Sequence, residues 1–333
     1  MFAMFNIVML GMLAQILPLA DGVDSVNPRI RHVHSPYVVR QHFQTPVKPY
    51  TPRATQRKHQ VPGPEQLEYA THFFAKSRHS PIHLWTTNLF RKIPESDTPE
   101  VVFMGRSNVG KSSVINMLVG DNICFTSATP GRTQTMNAFA VGGRKGGESK
   151  INIIDSPGYG KASRPEWGHE LMKYLSKRKQ LRRVFLIIES KAGVKTSDKE
   201  VLSILREFTV PHQIIVSKAD GFLTAGRTDH KGYSSSKIKR FRDVVRQIRK
   251  EVTPITRDDG IPPLGDILAC STKIRVGEGH HKIPLGIDAL QWAIIQAAGL
   301  DHLPSQASIS LPKQSLEAEG DKGGEGSAGG VKG

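Results

Sequence analysis

Residues Gly105-Arg106-Ser107-Asn108-Val109-Gly110-Lys111-Ser112 have the spacing G-x-x-x-x-G-K-[ST]. That spacing carries meaning where a strand runs into it and a helix leaves it. The sequence supplies both: residues 100–104 are a short apolar run of strand type, and residues 112–118 have helical character. In that setting the glycines let backbone N–H groups turn inward around phosphate oxygens. The helix N-terminus adds the positive end of its dipole. Lys111 is then expected to reach the β- and γ-phosphates, and the Ser112 hydroxyl to ligate Mg²⁺. The loop alone predicts a bound nucleoside triphosphate and leaves the base open.

The segments around the loop alternate in type. Residues 136–141 and 150–154 read as strands flanking a Gly142-Gly143 turn, 184–188 as a buried strand, and 198–208 as a helix. Residues 213–216 form the next strand, 234–252 a long basic helix, 267–269 a short strand, and 288–298 an amphipathic helix. Such alternation predicts an α/β fold of the P-loop NTPase type. The expected core is a doubly wound, mostly parallel six-stranded sheet with helices on both faces.

Placed on this framework, short strings become informative. Asp155-Ser156-Pro157-Gly158 follows an apolar strand. A carboxylate at the carboxyl end of such a strand is placed to hold Mg²⁺, and the Gly158 N–H to sense a γ-phosphate. As an isolated tetrapeptide the same string would be an ordinary turn. Residues 126–135 lack apolar periodicity and include Gly131, Arg132, Thr133 and Gln134. A threonine-bearing loop suits a switch whose hydroxyl meets Mg²⁺ in the triphosphate state. Thr133 is the expected ligand, with Thr129 as the alternative. Ser217-Lys218-Ala219-Asp220 follows another strand. There a carboxylate can accept two hydrogen bonds from guanine N1–H and N2–H₂, a donor pair that adenine lacks. The Lys218 stem can lie along the ring, and backbone N–H groups of Cys270-Ser271-Thr272 can meet guanine O6. Each string is weak alone; their order and strand-end positions carry the weight.

Together these residues resemble the EngB (YihA) GTPases of the TrmE-Era-EngA-EngB-septin group. The resemblance rests on the phosphate loop with its Arg-Ser-Asn, on Pro130-Gly131-Arg132-Thr133-Gln134, on Asp155 to Gly160, and on Ser217 to Asp220; it spans about residues 74–300. It implies a GTP- and GDP-binding enzyme with Mg²⁺ that assists assembly of the large ribosomal subunit and contacts that subunit or its rRNA. It also implies an organellar eukaryotic member. The sequence departs from the family at Ser217, where Thr is usual, and at Glu189, where Asp is usual. Tyr159 stands where Ras-like enzymes carry a water-orienting glutamine, so slow intrinsic hydrolysis is expected. By the same resemblance Asn108 is a candidate ligand for K⁺, in the charge position of an arginine finger. Arg106 and Arg132 are alternative charge donors, or else solvated loop arginines. With Lys111 and Thr133, Asn108 completes the expected catalytic set.

The ends of the chain differ from its middle. Residues 1–20 are apolar and uncharged, but hold Pro18 and no basic n-region; stable membrane insertion is not expected. Residues 27–64 carry Arg29, Arg31, Arg40, Lys48, Arg53, Arg57 and Lys58 and no acid. That is the composition of an organelle transit peptide and suggests a mitochondrial location, with the cytoplasm as the alternative. Residues 301–333 are rich in Gly, Ser, Lys and Glu, too polar to offset the entropy of ordering. The expected division is therefore an extension over 1–66, a G domain over 67–300 and a tail over 301–333. The net charge of +16 favours a polyanionic partner. Within the folded part, the excess concentrates in residues 173–183 and 237–250, where Arg242 and Arg246 are candidate phosphate contacts. The two cysteines, Cys124 and Cys270, form neither a CxxC pair nor a zinc-type cluster and read as buried thiols in a monomer. A nucleotide-gated RNA-binding module with negligible hydrolysis, or a membrane-anchored signalling GTPase using residues 1–20, would share most of these features.

Overall fold

The computed structural model describes residues 61–124, 135–143, 150–159, 165–224, 234–256, 259–276 and 282–302. The chain divides into two units, Met1–Asp301 and His302–Gly333, and every helix and strand below lies in the first. Residues 1–60 of the expected extension, residues 126–134 of the expected switch loop and the tail beyond residue 302 lie outside the described residues, and the first helix begins at residue 64, inside the expected extension.

The elements run α1 (Pro64–Phe73), β1 (Ile82–Thr87), β2 (Glu100–Gly105), α2 (Lys111–Val119), β3 (Met136–Val141), β4 (Ile151–Asp155) and α3 (Pro165–Lys177). They continue with β5 (Leu181–Glu189), α4 (Thr196–Glu207), β6 (His212–Ser217), α5 (Asp220–Leu223) and α6 (Ser235–Val252). Then come β7 (Leu268–Ala269), β8 (Arg275–Val276), β9 (Ile283–Pro284) and α7 (Ile287–Ala297). One sheet has the order β1-β3-β4-β2-β5-β6-β7, and β8 and β9 form a separate small pair. Strands β4, β2, β5, β6 and β7 pair in parallel, while β3 is antiparallel to both β4 and β1.

The sheet therefore has seven strands where six are expected from sequence. The additional strand is the edge strand β1. Its apolar Ile82 and Leu84 are exposed, so its side-chain pattern does not announce a half-buried strand.

The apolar runs of the central strands are buried throughout and alternate between two clusters, as period-two geometry requires. Val102 and Met104 of β2 join the cluster under α3, α4 and α6, with Tyr174, Leu202, Leu205, Phe241, Val245 and Ile248. Val101 and Phe103 join the opposite cluster with Val114, Ile115 and Leu118 of α2 and Leu290 and Ile294 of α7. Helices thus cover both faces, which is why these strands read as continuous apolar runs. The long basic helix α6 buries Phe241, Val245, Ile248 and Val252, spaced four, three and four apart as one helical face demands. The carboxyl ends of β2, β4, β6 and β7 gather the loops that carry the candidate residues, the usual position for ligands in an open α/β sheet.

Candidate functional site

The phosphate loop leaves β2 and enters α2, as its spacing predicts. Gly110 has φ 94° and caps α2 without a side chain, leaving first-turn N–H groups as donors for an anion. Asn108 is also left-handed, at φ 65°. Lys111 is buried, 6% exposed, and its ammonium bonds the Asp155 carboxylate, itself 2% exposed, at the last residue of β4. The Ser112 hydroxyl lies 3.5 Å from the other oxygen of Asp155. Hydroxyl and carboxylate oxygens side by side are the hard donor set that fits Mg²⁺. Ser156 turns inward to the Phe103 carbonyl at 2.7 Å and anchors the turn that follows. Gly158 then passes so close to Ser107 that a Cβ would stand 2.9 Å from its backbone.

The candidate base-reading residues 217–220 are tied to the same loop. Ser217 Oγ donates to the Val109 carbonyl at 2.6 Å, and Lys218 Nζ to the Asn108 carbonyl at 2.7 Å. Lys218 is left-handed, φ 56°. Asp220 Oδ1 accepts the Ser271 hydroxyl at 2.8 Å, and the Ala219 N–H reaches the Cys270 carbonyl at 3.1 Å. Asp220 is thereby oriented by the segment after β7, and Thr272 follows in that segment. Both cysteines are free and buried. Each stands near a site carboxylate, which spacing could not reveal. Burial and then Asp155 push the Cys124 thiol up; burial and then Asp220 push Cys270 up to about 12.

Residues 100–218 match the family model described as 50S ribosome-binding GTPase. A probable GTP-binding protein EngB of Rhodospirillum rubrum is 43% identical over 143 residues, covering 41% of this chain and 62% of that protein. The corresponding protein of Mesorhizobium japonicum is 42% identical over 143 residues, 40% of this chain and 68% of that protein. The chain belongs to the EngB family of GTP-binding proteins. It spans less than two thirds of the length of the Rhodospirillum relative. A solved structure described as a probable GTP-binding protein engB is 20% identical, with a TM-score of 0.39 over 60% of this chain and 98% of that one.

Of the two departures from the EngB pattern, Ser217 keeps a hydroxyl that performs the loop contact. Glu189 plays a structural part, pairing through Oε2 with Lys218 Nζ at 3.1 Å and steadying the lysine on the loop.

Arg106 is not the solvated loop arginine of one expectation. Its Nε lies 3.1 Å from Asp198 Oδ2, and its Nη2 donates to the Gly193 carbonyl at 3.1 Å. Tyr159 is nearly buried and its hydroxyl donates to Asp198 Oδ1 at 2.7 Å. Burial and Asp198 push that hydroxyl up, so it remains a donor. Sequence reasoning missed Asp198. Its place in the first turn of α4 reads as a helix-start acid, and it does bond the Lys195 N–H at 2.8 Å as a cap would. Gly131, Arg132, Thr133 and Gln134 lie outside the described residues.

Proposed function

We propose that this EngB-family chain binds GTP and GDP at the site above, hydrolyses GTP slowly, and works as a switch in assembly of the large ribosomal subunit inside mitochondria. The observation that carries the reading is the convergence of Lys111, Ser112, Asp155 and Asp220 at the carboxyl ends of neighbouring strands. Lys111 would bind the terminal phosphates. Ser112 and Asp155, with Thr133 from the switch segment, would hold Mg²⁺, which when bound neutralises charge on the phosphate oxygens. Asp220, oriented by Ser271, would select guanine. Tyr159 cannot orient an attacking water while its hydroxyl is committed to Asp198, which supports slow turnover without a partner.

The deciding experiment is nucleotide competition on Asp220→Asn. The variant should lose GTP affinity and guanine preference. Retained preference for guanine over adenine would sink the assignment.

The pairing of Arg106 with Asp198 favours another source of charge for the transferring phosphoryl group, K⁺ at Asn108 or Arg132 of the switch segment. K⁺ held at Asn108 is the proposed one; identical turnover in Na⁺ and K⁺ with ribosomal subunits present would remove it. Such turnover, if absent in both salts, would favour a binding module over an enzyme.

For the ribosomal partner, α6 offers exposed Lys239, Arg240, Arg246 and Lys250. Arg246 pairs with Asp243 at 2.6 Å, and Arg242 is half-buried, so Lys239 and Arg240 are cleaner probes. Reversing both charges should weaken ribosome co-sedimentation and its salt dependence while leaving GTP affinity unchanged. Import is supported by the acid-free, arginine-bearing segment 27–64. A fusion carrying residues 1–66 that stays outside mitochondria would overturn that part.

A further inference from the structure

Three segments meet on one carboxylate. Asp198 is fully buried. Its Oδ1 accepts the Tyr159 hydroxyl, its Oδ2 accepts the Lys195 N–H, and the Arg106 guanidinium lies against Oδ2. Arg106 is the second residue of the phosphate loop, and Tyr159 follows Gly158 directly. The two backbones are also joined. Tyr159 N–H donates to the Gly105 carbonyl at 3.3 Å, and Ser107 N–H to the Tyr159 carbonyl at 3.2 Å. Gly158 is thereby held between fixed points, against Ser107.

Capping α4 requires only the bond to Lys195. The arms to Tyr159 and Arg106 do something else: they make the resting place of the Gly158 segment depend on a buried charge. A buried carboxylate is tolerated while it is paired and hydrogen-bonded. If Tyr159 swung away, Asp198 would lose a donor with no water to replace it. The lowest-energy arrangement therefore keeps Gly158 next to the loop.

We infer that Asp198 is a positioning residue for triphosphate recognition: through Tyr159 and Arg106 it holds the Gly158 N–H at the phosphate loop, where that group meets the terminal phosphate of GTP. This rests on the proposed guanine-nucleotide site. GDP has no phosphate at that place, so Asp198 affects the two nucleotides unequally. A residue that merely stabilised the fold would affect them alike.

The test is calorimetric affinity of the full chain for GDP and for a non-hydrolysable GTP analogue, in the native protein, Asp198→Asn and Tyr159→Phe. Asp198→Asn should bind the analogue about tenfold or more weakly, the loss expected of a hydrogen bond to a charged group, with GDP affinity held within about twofold. Tyr159→Phe deletes one oxygen and should show a smaller loss with the same preference for GDP. If Asp198→Asn does not fold, the Tyr159→Phe result decides. Equal losses for both nucleotides, or an unchanged analogue affinity, would overturn the inference. Should the native protein bind neither nucleotide, the proposed function falls and the inference with it. Should it bind both while the variants treat them alike, the inference alone falls.

Discussion

Two clusters of the same composition, a carboxylate with an arginine and a tyrosine, lie at opposite ends of the sheet and are wired differently. Glu100 opens β2 at the strand's amino end and is fully buried. It accepts the Tyr174 hydroxyl at 2.5 Å and two bonds from Arg178, Nε at 2.9 Å and Nη2 at 2.7 Å. Both partners come from α3 and the residue just past it. Burial and Glu100 push the Tyr174 hydroxyl well up, and the carboxylate raises Arg178. Asp198, at the other end, draws its partners from the phosphate loop, the turn after β4 and its own helix start. The Glu100 cluster ties one helix to one strand and can only stabilise. The Asp198 cluster joins segments that surround the candidate nucleotide. Residue types alone do not separate a structural charge cluster from a functional one; the provenance of the arms does.

The largest expected effect is at the amino end. Glu100→Ala leaves the Arg178 guanidinium, 8% exposed, without its bidentate partner, and should cost about 3–5 kcal/mol of stability. Urea unfolding measures the loss. Nucleotide titration of the remaining folded protein should give an unchanged ratio of GDP to GTP-analogue affinity. A changed ratio would break the contrast between the clusters.

Next is Gly158→Ala. Its methyl would stand 2.8–2.9 Å from the Ser107 side chain and backbone, an overpacking worth about 1–3 kcal/mol. Relief must come from moving the segment off the loop. Analogue binding should therefore weaken more than GDP binding, opposite in character to the Glu100 result. Competition against a fluorescent nucleotide reads both.

Glu189→Gln should be milder. Lys218 and Glu189 are 42% and 26% exposed, and pairs of that kind contribute about 1 kcal/mol or less. Lys218 bonds the loop without touching the Gly158 segment, so the expected outcome is a small, equal weakening of GDP and analogue. An unequal one would extend the phosphate-sensing network to the base-reading box.

How much of this was legible in the sequence follows from how local each signal is. The phosphate loop, Asp155 and Asp220 each sit at the end of an apolar strand that identifies itself by composition. The geometry then brings them together because parallel strands align their carboxyl ends. The edge strand β1 escaped because Ile82 and Leu84 face solvent. Asp198 escaped for a different reason. Thr196-Ser197-Asp198 has a sufficient local explanation as a helix start, and the Arg106 and Tyr159 contacts are long-range products of packing α4 beside the loop. Arg106 is the complementary case: nothing in the loop's spacing announces its buried partner Asp198, which only packing supplies.

The smallest expected effect concerns pH and belongs to the amino end. His212 opens β6, is fully buried, bonds the Val210 carbonyl through Nδ1 at 2.9 Å, and leaves Nε2 without a hydrogen-bond partner. Burial, reinforced by Arg206, lowers its pKa below the ordinary 6.5, although the Val210 bond opposes this. The folded state thus prefers the neutral ring, while the unfolded chain takes a proton as pH falls through about 6.5. Below that point the unfolded state holds more protons than the folded one. Stability therefore declines as pH falls through the unfolded value and on through the depressed folded value. Above the unfolded value both states are neutral and the group contributes no pH dependence. His212→Gln removes the titration, so the difference in unfolding midpoint between variant and native protein should shift in the variant's favour as pH drops below about 6.5. Over the same range the ratio of GDP to analogue affinity should be the same in both proteins, because His212 lies with Glu100 at the end of the sheet remote from Gly158. If the ratio instead diverged between them as pH fell, protonation at the amino end would be reaching the phosphate-sensing segment, and the two ends of the sheet would be coupled after all.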